Sequence, residues 1–271
     1  MCETDPPYPI LTRAIFAAHE KWKSVWPFTT GRSSFRHFID FAAAAGLVPP
    51  AWVRTPLGFE MWLDSAEFMQ HDILIQGIWS PEVTALFQKW IRPGDHVVDI
   101  GANVGYFSLL ASLLVGSSGR VTSFEPNPTV FAQLQANIER NGFSVFAHEA
   151  ACSDTEGTLQ LYVNEAGNSG ESSLSQENAS GHFSHNVRCV IPDAVLEGSP
   201  EASFVKIDVE GAEMLVLRGL RRTLAVAHPL LCLEMDDRKL KSMGTTSEEL
   251  VDYLAGLGYR VRRLGVDVFA Y

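Results

Sequence analysis

The sequence predicts a Rossmann-like α/β fold with a mostly parallel sheet that ends in an antiparallel hairpin, and three observations carry this prediction. A short apolar run ending at Ile100 is followed by a turn of small residues and then by apolar residues at helical spacing, which makes a strand–turn–helix unit. Further strand and helix patterns alternate as far as Glu234. Two short strand patterns flank Gly265 and close the sheet as a hairpin.

The composition is that of a globular, acidic protein. The 271 residues are 46% hydrophobic, with 21 Lys and Arg against 32 Asp and Glu, a formal net charge of −11. This balance disfavours a nucleic-acid partner, which dense basic patches would bind, and favours a small molecule. The four cysteines lack zinc-ligand spacing, the acidic N-terminus is unlike a signal peptide, and the apolar stretch 41–48 is too short to cross a membrane. A cytoplasmic protein with no membrane partner is therefore expected.

The chain is expected to divide into an N-terminal extension, residues 1–80, and a core domain, residues 81–271. The extension has helical patterns from about residue 9 to 46 and a hairpin pattern on either side of Gly58. All the tryptophans lie in the first third of the chain, at positions 22, 26, 52, 62, 79 and 90. They favour a small aromatic core of the extension. The alternative is that some line a ligand pocket, with Trp79 as the best candidate.

The turn after the first core strand indicates which nucleotide the fold binds. Gly101 lets the backbone approach a ligand without a Cβ in the way. A dinucleotide fingerprint needs the pattern G-x-G-x-x-G, but Asn103 and Tyr106 replace two of its glycines. Asp99 would repel a diphosphate, yet it suits a ligand with a cationic amino acid end, such as S-adenosylmethionine. The alternative is a helix-capping turn with no ligand.

The second core strand ends at an acidic residue, Glu125, in the position where an acid usually binds a ribose diol. An ordinary solvated acid at a strand end is the alternative. Asn127 then caps a helix that has Pro128 at its first position and ends at Gly142. The small residues Ala150 and Ala151 follow the third strand and would let an adenine lie against the backbone.

The stretch 165–185 is long and rich in Gly, Ser, Asn and Glu. Such a segment is either a mobile lid or a disordered loop. A lid is favoured because Leu174 is one apolar residue that could dock.

A second dense stretch of acids follows the strand 204–207. Asp208 and Glu210 are two apart on an extended chain and should point the same way, and Glu213 follows on the first turn of a helix. Acids also suit the positive end of a helix dipole, which is the structural alternative. Three carboxylates in six residues exceed what capping requires, and Glu234 should lie at the same sheet edge, where ligands bind in open α/β sheets.

Several of these segments resemble the motifs of the FkbM family of S-adenosylmethionine-dependent methyltransferases. The similar segments are Val98–Tyr106, Phe124–Pro126, Lys206–Glu213 and, with Cys152 in place of the usual Leu, Ala151–Asp154. The resemblance covers about residues 72–270. It implies a class I methyltransferase fold with a seven-stranded sheet, and an O-methyltransferase that acts on natural products, sugars or lipids.

The resemblance also assigns roles to the site residues. The methionine part of the cofactor would be bordered by the first motif, through Asp99, Gly101, Asn103, Gly105 and Tyr106. Glu125 and Pro126 would hold the ribose and Ala151 would approach the adenine. Asp208 and Glu210 would face the transferred methyl group, with Asp208 also near the cofactor.

A carboxylate or imidazole would help as general base, because a protonated alcohol is a poor nucleophile. Asp208 and Glu210 are the candidates, with His71 or His182 as less favoured alternatives. A metal held by Asp208, Glu210 and Glu234 is disfavoured, so no metal is expected.

The acceptor is expected to be a neutral or weakly cationic, partly apolar small molecule, such as a natural product or a sugar-like compound, bound on the side of the N-terminal extension. Transfer to nitrogen, on an amino sugar or peptide-like acceptor, stays open. A non-catalytic nucleotide-binding partner protein and an NAD-dependent oxidoreductase are disfavoured. The sequence does not determine the oligomeric state.

Overall fold

The computed structural model describes residues 48–163, 172–177 and 183–271. The predicted N-terminal helical region therefore lies outside the described residues, as do His182, two of the tryptophans (Trp22 and Trp26), and much of the predicted lid.

Strands and helices alternate through the core. The strands are β1 (Ala51–Arg54), β2 (Glu60–Leu63), β3 (His96–Ile100), β4 (Arg120–Phe124), β5 (Val145–His148), β6 (Ala151–Cys152), β7 (Gly157–Val163), β8 (Phe183–Val190), β9 (Phe204–Ile207), β10 (Leu230–Glu234), β11 (Val261–Leu264) and β12 (Asp267–Ala270). The helices are α1 (Phe68–Gln76), α2 (Pro81–Trp90), α3 (Tyr106–Val115), α4 (Pro128–Asn141), α5 (Pro192–Val195), α6 (Glu213–Gly219), α7 (Arg221–Val226), α8 (Asp237–Ser242) and α9 (Ser247–Gly256).

The main sheet has seven strands in the order β5-β4-β3-β9-β10-β12-β11. The five strands from β5 to β10 are parallel, and β12 runs antiparallel to both of its neighbours. The predicted Rossmann-like α/β fold, with a mostly parallel seven-stranded sheet and a closing hairpin, is confirmed. Strand order reverses between β3 and β9, and ligands of such sheets bind beside that reversal, at the carboxyl ends of the strands.

Apolar side chains cover both faces of this sheet. One layer contains Phe87, Phe107, Leu109 and Leu134, and the other contains residues such as Leu217 and Leu254. Strand β3 is buried along its whole length, as expected for a strand covered by helices on both faces. No helix among the described residues is both long and apolar enough to cross a bilayer.

The β1–β2 hairpin packs on helix α4. Asn137 and Asn141 accept hydrogen bonds from the backbone N–H groups of Trp62 (2.7 Å) and Glu60 (2.8 Å). Apolar residues of β2, including Met61 and Leu63, share one buried cluster with helices α3 and α4. The hairpin therefore extends the core layer, and the division at residue 80 stays a prediction.

The helix signals of the sequence are confirmed at α4. Asn127 accepts a hydrogen bond from the N–H of Thr129, Pro128 is the first helical residue, and Gly142 ends the helix with a left-handed backbone. The first strand of the predicted hairpin at Gly265 begins at Val261. The N–H of Tyr259 donates to the carbonyl of Leu254 near the end of α9, so this N–H group is not available for a hydrogen bond within the sheet.

Candidate active site

A cavity opens at the carboxyl edge of the sheet, beside the strand-order reversal. Its walls come from the residues that follow β3, β4, β9 and β10, from α1 and the loop after it, and from the segment 172–174. The lining residues are Phe68, Met69, Trp79, Ile100, Gly101, Ala102, Asn103, Tyr106, Phe107, Phe124, Glu125, Pro126, Ala150, Ala151, Cys152, Leu161, Ser172, Leu174, Lys206, Asp208, Val209, Glu210, Ala212, Glu234 and Lys239.

The two acidic stretches of the sequence meet directly at this cavity. The N–H of Asp208 donates to the carbonyl of Ile100 at 3.0 Å. Gly101 has a left-handed backbone (φ +79°), and a Cβ there would overlap the carbonyl oxygen of Asp208. The sequence analysis explained Gly101 by the close approach of a ligand, and this explanation is incomplete. A side chain at position 101 is excluded by the backbone that follows β9, the neighbouring strand of the sheet.

Glu125 lies buried at the cavity wall and is held by two backbone groups. Its carboxylate accepts hydrogen bonds from the N–H of Asn103 (2.9 Å) and of Asn127 (2.8 Å). Burial raises the pKa of Glu125 to about 7, although these two N–H groups act in the opposite direction. Asn103 has a left-handed backbone (φ +51°), which turns its N–H toward Glu125. Each carboxylate oxygen still has a lone pair for a ligand.

Asp99 lies beneath the turn and does not line the cavity. It is fully buried, accepts a hydrogen bond from Ser108 Oγ (2.6 Å), and has its other oxygen 3.6 Å from Lys206 Nζ. Burial raises the pKa of Asp99, while Lys206 and Ser108 oppose the shift. Asp99 was expected to contact the amino acid end of the ligand directly. In the structure its carboxylate faces Lys206 instead.

Gly105 and Tyr106 have packing roles at the start of α3. A Cβ on Gly105 would meet Leu134 of α4 at 2.5 Å, so this glycine permits close helix packing, and it does not line the cavity. The ring of Tyr106 lines the cavity, and its hydroxyl is 3.1 Å from Thr84 Oγ. The predicted cofactor contacts of both residues stay predictions.

Lys206 is a functional candidate that the sequence reasoning missed. Its ammonium donates to the carbonyl of Gly101 (3.3 Å) and lies 3.3 Å from Asp208 Oδ2. Burial lowers its pKa, but Asp208 and Asp99 more than reverse this, so the pKa of Lys206 is raised and the ammonium stays charged. A lysine inside an apolar strand was an available signal, since an unpaired lysine is almost never buried.

A second lysine, Lys239, lies among the carboxylates at the other end of the cavity. Its Nζ is 2.9 and 3.0 Å from the two oxygens of Glu234 and also contacts the carboxylate of Glu210. One oxygen each of Asp208, Glu210 and Glu234 lie within 4.8 Å of one another. An ammonium already bonds two of these three acids, so the group is an ion-pair cluster. No sequence pattern distinguished Lys239 from a surface lysine.

The acids of the 208–213 stretch do not share one role. Glu210 reaches the cluster through a left-handed backbone (φ +57°), so the extended-chain reason given for its direction is wrong although both side chains do line the cavity. Glu213 is buried away from the cavity and accepts hydrogen bonds from the N–H groups of Val209 and Gly211, both at 3.2 Å. Burial raises the pKa of Glu213 to about 7. This acid fixes the loop.

Aromatic residues form another part of the cavity wall. The rings of Phe68 and Trp79 meet edge to face, 6.2 Å apart, and the carbonyl of Trp79 accepts a hydrogen bond from Thr84 Oγ (2.6 Å). The prediction that Trp79 lines the pocket is confirmed. Trp52 and Trp62 pack on each other in the hairpin instead, as the aromatic-core interpretation expects.

The described part of the predicted lid lies against the same cavity. Ser173 Oγ donates to the carbonyl of Glu210 (2.9 Å), and Leu174 lines the cavity and packs on the small sheet β6-β8-β7. Docking of Leu174 is therefore confirmed, and whether the segment moves stays a prediction. His71, on α1, does not line the cavity.

The cavity fits a nucleoside that carries an amino acid chain. A ribose diol can donate to the free lone pairs of Glu125. A base can lie against the apolar wall of Phe124, Ala150 and Ala151, and a small-residue turn at Gly101 leaves room for the remaining chain.

The comparisons with known proteins are consistent with a site for such a nucleoside. The sequence model of the methyltransferase FkbM domain matches residues 99–261. The chain is 25% identical over 181 residues to the hexuronic acid methyltransferase AglP of Haloferax volcanii, covering 64% of this chain and 71% of that protein. It is 41% identical over 71 residues to the 31-O-demethyl-FK506 methyltransferase FkbM of Streptomyces tacrolimicus, covering 26% of this chain and only 27% of that relative.

Among solved structures, the methyltransferase FkbM of Methylobacillus flagellatus KT is similar with a TM-score of 0.45 and 16% identity, over 74% of this chain and 52% of that one. The family match covers more than half of the present chain. The protein therefore belongs to the FkbM family of methyltransferases, and its cofactor is S-adenosylmethionine.

Proposed function

We propose that the protein transfers a methyl group to a hydroxyl of a small, partly apolar acceptor. The observation that carries this proposal is one cavity in which a nucleoside-compatible wall around Glu125 continues into a wall of carboxylates and aromatic rings. One relative is named for O-methylation of 31-O-demethyl-FK506, and another is named for a hexuronic acid. A net charge of −11 supports a small molecule over a nucleic acid.

The cofactor supplies an electrophilic methyl group on a sulfonium sulfur, so the protein chiefly has to align the acceptor. Alignment of this kind contributes roughly 7–11 kcal/mol to a reaction barrier. We assign Glu125 and Pro126 to the ribose, Ala151 to the adenine, and Gly101 with Asn103 to the amino acid part. Lys206 holds the turn at Gly101 and the carboxylate of Asp208 in one place.

Asp208 and Glu210 are the carboxylates proposed to face the reacting oxygen. Both line the cavity, and each is paired with a different lysine, Asp208 with Lys206 and Glu210 with Lys239. A carboxylate within hydrogen-bond reach of an alcohol can orient it and weaken its O–H bond. The aromatic pair Phe68 and Trp79 supplies an apolar surface for the carbon skeleton of the acceptor.

The cofactor and the reaction are tested separately. Calorimetric titration with S-adenosylhomocysteine and with NAD is expected to show binding of the first alone. Methyl α-D-glucuronide and cyclohexanol then serve as hydroxyl probes with methyl-labelled S-adenosylmethionine, and glucosamine serves as an amine probe. Label in a methyl ether supports the proposal, whereas label only in the methyl ester of the glucuronide or only in the amine contradicts transfer to a hydroxyl.

The variants Asp208→Asn and Glu210→Gln are expected to lose about 100-fold or more in turnover while they retain S-adenosylhomocysteine binding. Lys241→Met is the matched control, because Lys241 forms an exposed ion pair with Asp237 outside the cavity. Unchanged turnover in both cavity variants would remove Asp208 and Glu210 from the reaction.

A further inference from the structure

We propose that Glu234 is the general base that takes the hydroxyl proton of the acceptor, with Lys239 as the residue that positions it against Glu210. This inference rests on the proposed transfer to oxygen. It adds to Asp208 and Glu210 a catalytic residue that lies 24 positions later in the chain, on a different strand.

Glu234 has a defined position at the end of a strand, among the carboxylates of the cavity. It is the last residue of β10 and lines the cavity at the edge where the sheet binds its ligand. Both of its oxygens bond the ammonium of Lys239, which fixes the plane of the carboxylate. Its side chain is 16% exposed, close to the 13% of Glu210 and well below the 38% of Asp208, so Glu234 is more desolvated than Asp208.

The charges that face Glu234 come from three elements. Asp208 and Glu210 lie on the loop after β9, Lys239 lies on α8, and Asp267 is its register partner on β12. Burial, followed by the carboxylates of Asp208 and Glu210, raises the pKa of Glu234 to about 8, against the opposing effect of Lys239. Burial also raises the pKa of Asp267, to about 6.

A carboxylate with this environment is a stronger base than one in water. General bases work best when their pKa lies near the operating pH, and few carboxylates reach that range without burial beside like charges. Asp208 is instead held by the buried ammonium of Lys206, 3.3 Å from its Oδ2 atom. The two lysines therefore hold different carboxylates, Lys206 that of Asp208 and Lys239 those of Glu210 and Glu234.

The proton and electrons balance in one step. As the acceptor oxygen forms its bond to the methyl carbon, the methyl–sulfur bond breaks and its electron pair goes to sulfur, which becomes neutral. The hydroxyl proton moves to Glu234, which is neutral afterwards and returns the proton to water when the product leaves. Burial lowers the pKa of Lys239, but Glu210 and Glu234 more than reverse this, so Lys239 is charged when the proton leaves the acceptor.

The first test measures the protonation of Glu234 without any acceptor. The full-length protein is labelled with carbon-13 at the glutamate carboxyls and titrated by NMR with S-adenosylhomocysteine present, and Glu234→Gln identifies the resonance. We expect it to titrate near pH 8. Lys239→Met removes the ammonium that bonds Glu210 and Glu234, so the titration of Glu234 should move to higher pH. Lys239→Arg should restore it, and Lys241→Met should leave it unchanged.

The second test measures formation of the methyl ether of methyl α-D-glucuronide, because methylation of its carboxylate removes no proton. Glu234→Gln should lower kcat by about 100-fold or more with unchanged S-adenosylhomocysteine affinity, and the acidic limb of the pH–rate profile should move to higher pH in Lys239→Met. Glu248→Gln, at an exposed position of α9, is the matched control.

Two outcomes overturn the inference. One is a Glu234 resonance that titrates in the ordinary range of glutamate, near 4.3, whether or not Lys239 is present. The other is Glu234→Gln with wild-type kcat. Failure of the proposed function would look different, because S-adenosylhomocysteine would bind but no hydroxyl probe would gain label, while the NMR titration would still report on Glu234 and Lys239.

Discussion

The two ends of the cavity hold their carboxylates in opposite ways. At the Glu125 end, comprising Gly101, Asn103, Glu125 and Asn127, the acid is fixed by two backbone N–H groups. At the Glu234 end, comprising Asp208, Glu210, Glu234 and Lys239, the acids are fixed by lysine ammonium groups. The first end depends on backbone conformation and the second on side-chain charge.

This difference matches what each end has to do. A ligand that is the same in every turnover is best met by a rigid site, and backbone groups are fixed by the strands on either side of them. An acid that must gain and lose a proton needs a neighbouring charge that sets its pKa, and a lysine supplies one. The comparison leads to three predictions, each of which perturbs one kind of support.

The largest expected effect is at Gly101. Its Cβ would overlap the carbonyl oxygen of Asp208, so Gly101→Ala has to push β3 and β9 apart at their ends. We expect a loss of more than about 4 kcal/mol in the free energy of unfolding, measured by urea denaturation. The matched control is Gly142→Ala, which also has a left-handed backbone (φ +63°) but nothing within 4 Å of the added Cβ. It should cost about 1–2 kcal/mol.

If the two alanine variants lose equal stability, backbone strain alone accounts for the effect. The contact between the ends of β3 and β9 would then not be what requires a glycine at position 101.

Glu213, like Glu125, is a buried acid that accepts hydrogen bonds from backbone N–H groups, but it lies outside the cavity. It therefore tests whether this kind of support has the same effect on the pKa of an acid that binds no ligand. Its pKa in the folded protein, about 7, exceeds that of an unfolded glutamate, so the folded state keeps the proton over a range in which the unfolded state has lost it. The contribution of Glu213 to the free energy of unfolding is therefore greatest below about pH 4.5 and falls as the pH rises to about 7. The full change corresponds to about 3 kcal/mol.

Glu213→Gln carries no such proton and keeps an oxygen for the N–H groups of Val209 and Gly211. Relative to wild type, it should gain up to about 3 kcal/mol as the pH rises from 4.5 to 7, measured by urea denaturation at a series of pH values. A constant difference across that range would show that Glu213 is ionised in the folded protein.

The smallest expected effect is on ligand affinity at Glu125. Removing the charge that accepts a ribose diol should weaken S-adenosylhomocysteine binding by about 1.5–3 kcal/mol, or roughly 10- to 100-fold. Because the ionised form is the better acceptor and the pKa of Glu125 is about 7, wild-type affinity should rise from pH 6 to pH 8. Calorimetry on Glu125→Gln should show weak binding without that pH dependence.

The exposed variant Glu248→Gln should bind as wild type does. Full affinity in Glu125→Gln would place the ribose elsewhere in the cavity and would leave the two ends without the functional difference drawn above.

Local patterns were sufficient for much of this protein. The buried run ending at Ile100, the capped helix that starts at Pro128 and the hairpin at Gly265 are each specified by neighbours in sequence, since apolar periodicity and turn residues act over a few positions. The meeting of residues 99–105 with 208–213 was also predictable, because carboxyl ends of parallel strands share one edge.

What the sequence by itself determined is the α/β fold, the family and the set of acids at one sheet edge. Only the tertiary structure decided which of those acids face the cavity, since burial and partner choice depend on contacts between residues far apart in the chain. It turned Asp99 toward Lys206 and Glu213 toward the loop backbone, and it brought Lys239 between Glu210 and Glu234. The pKa of an acid depends on its burial and on the charges near it, and neighbouring residues in the sequence determine neither of these.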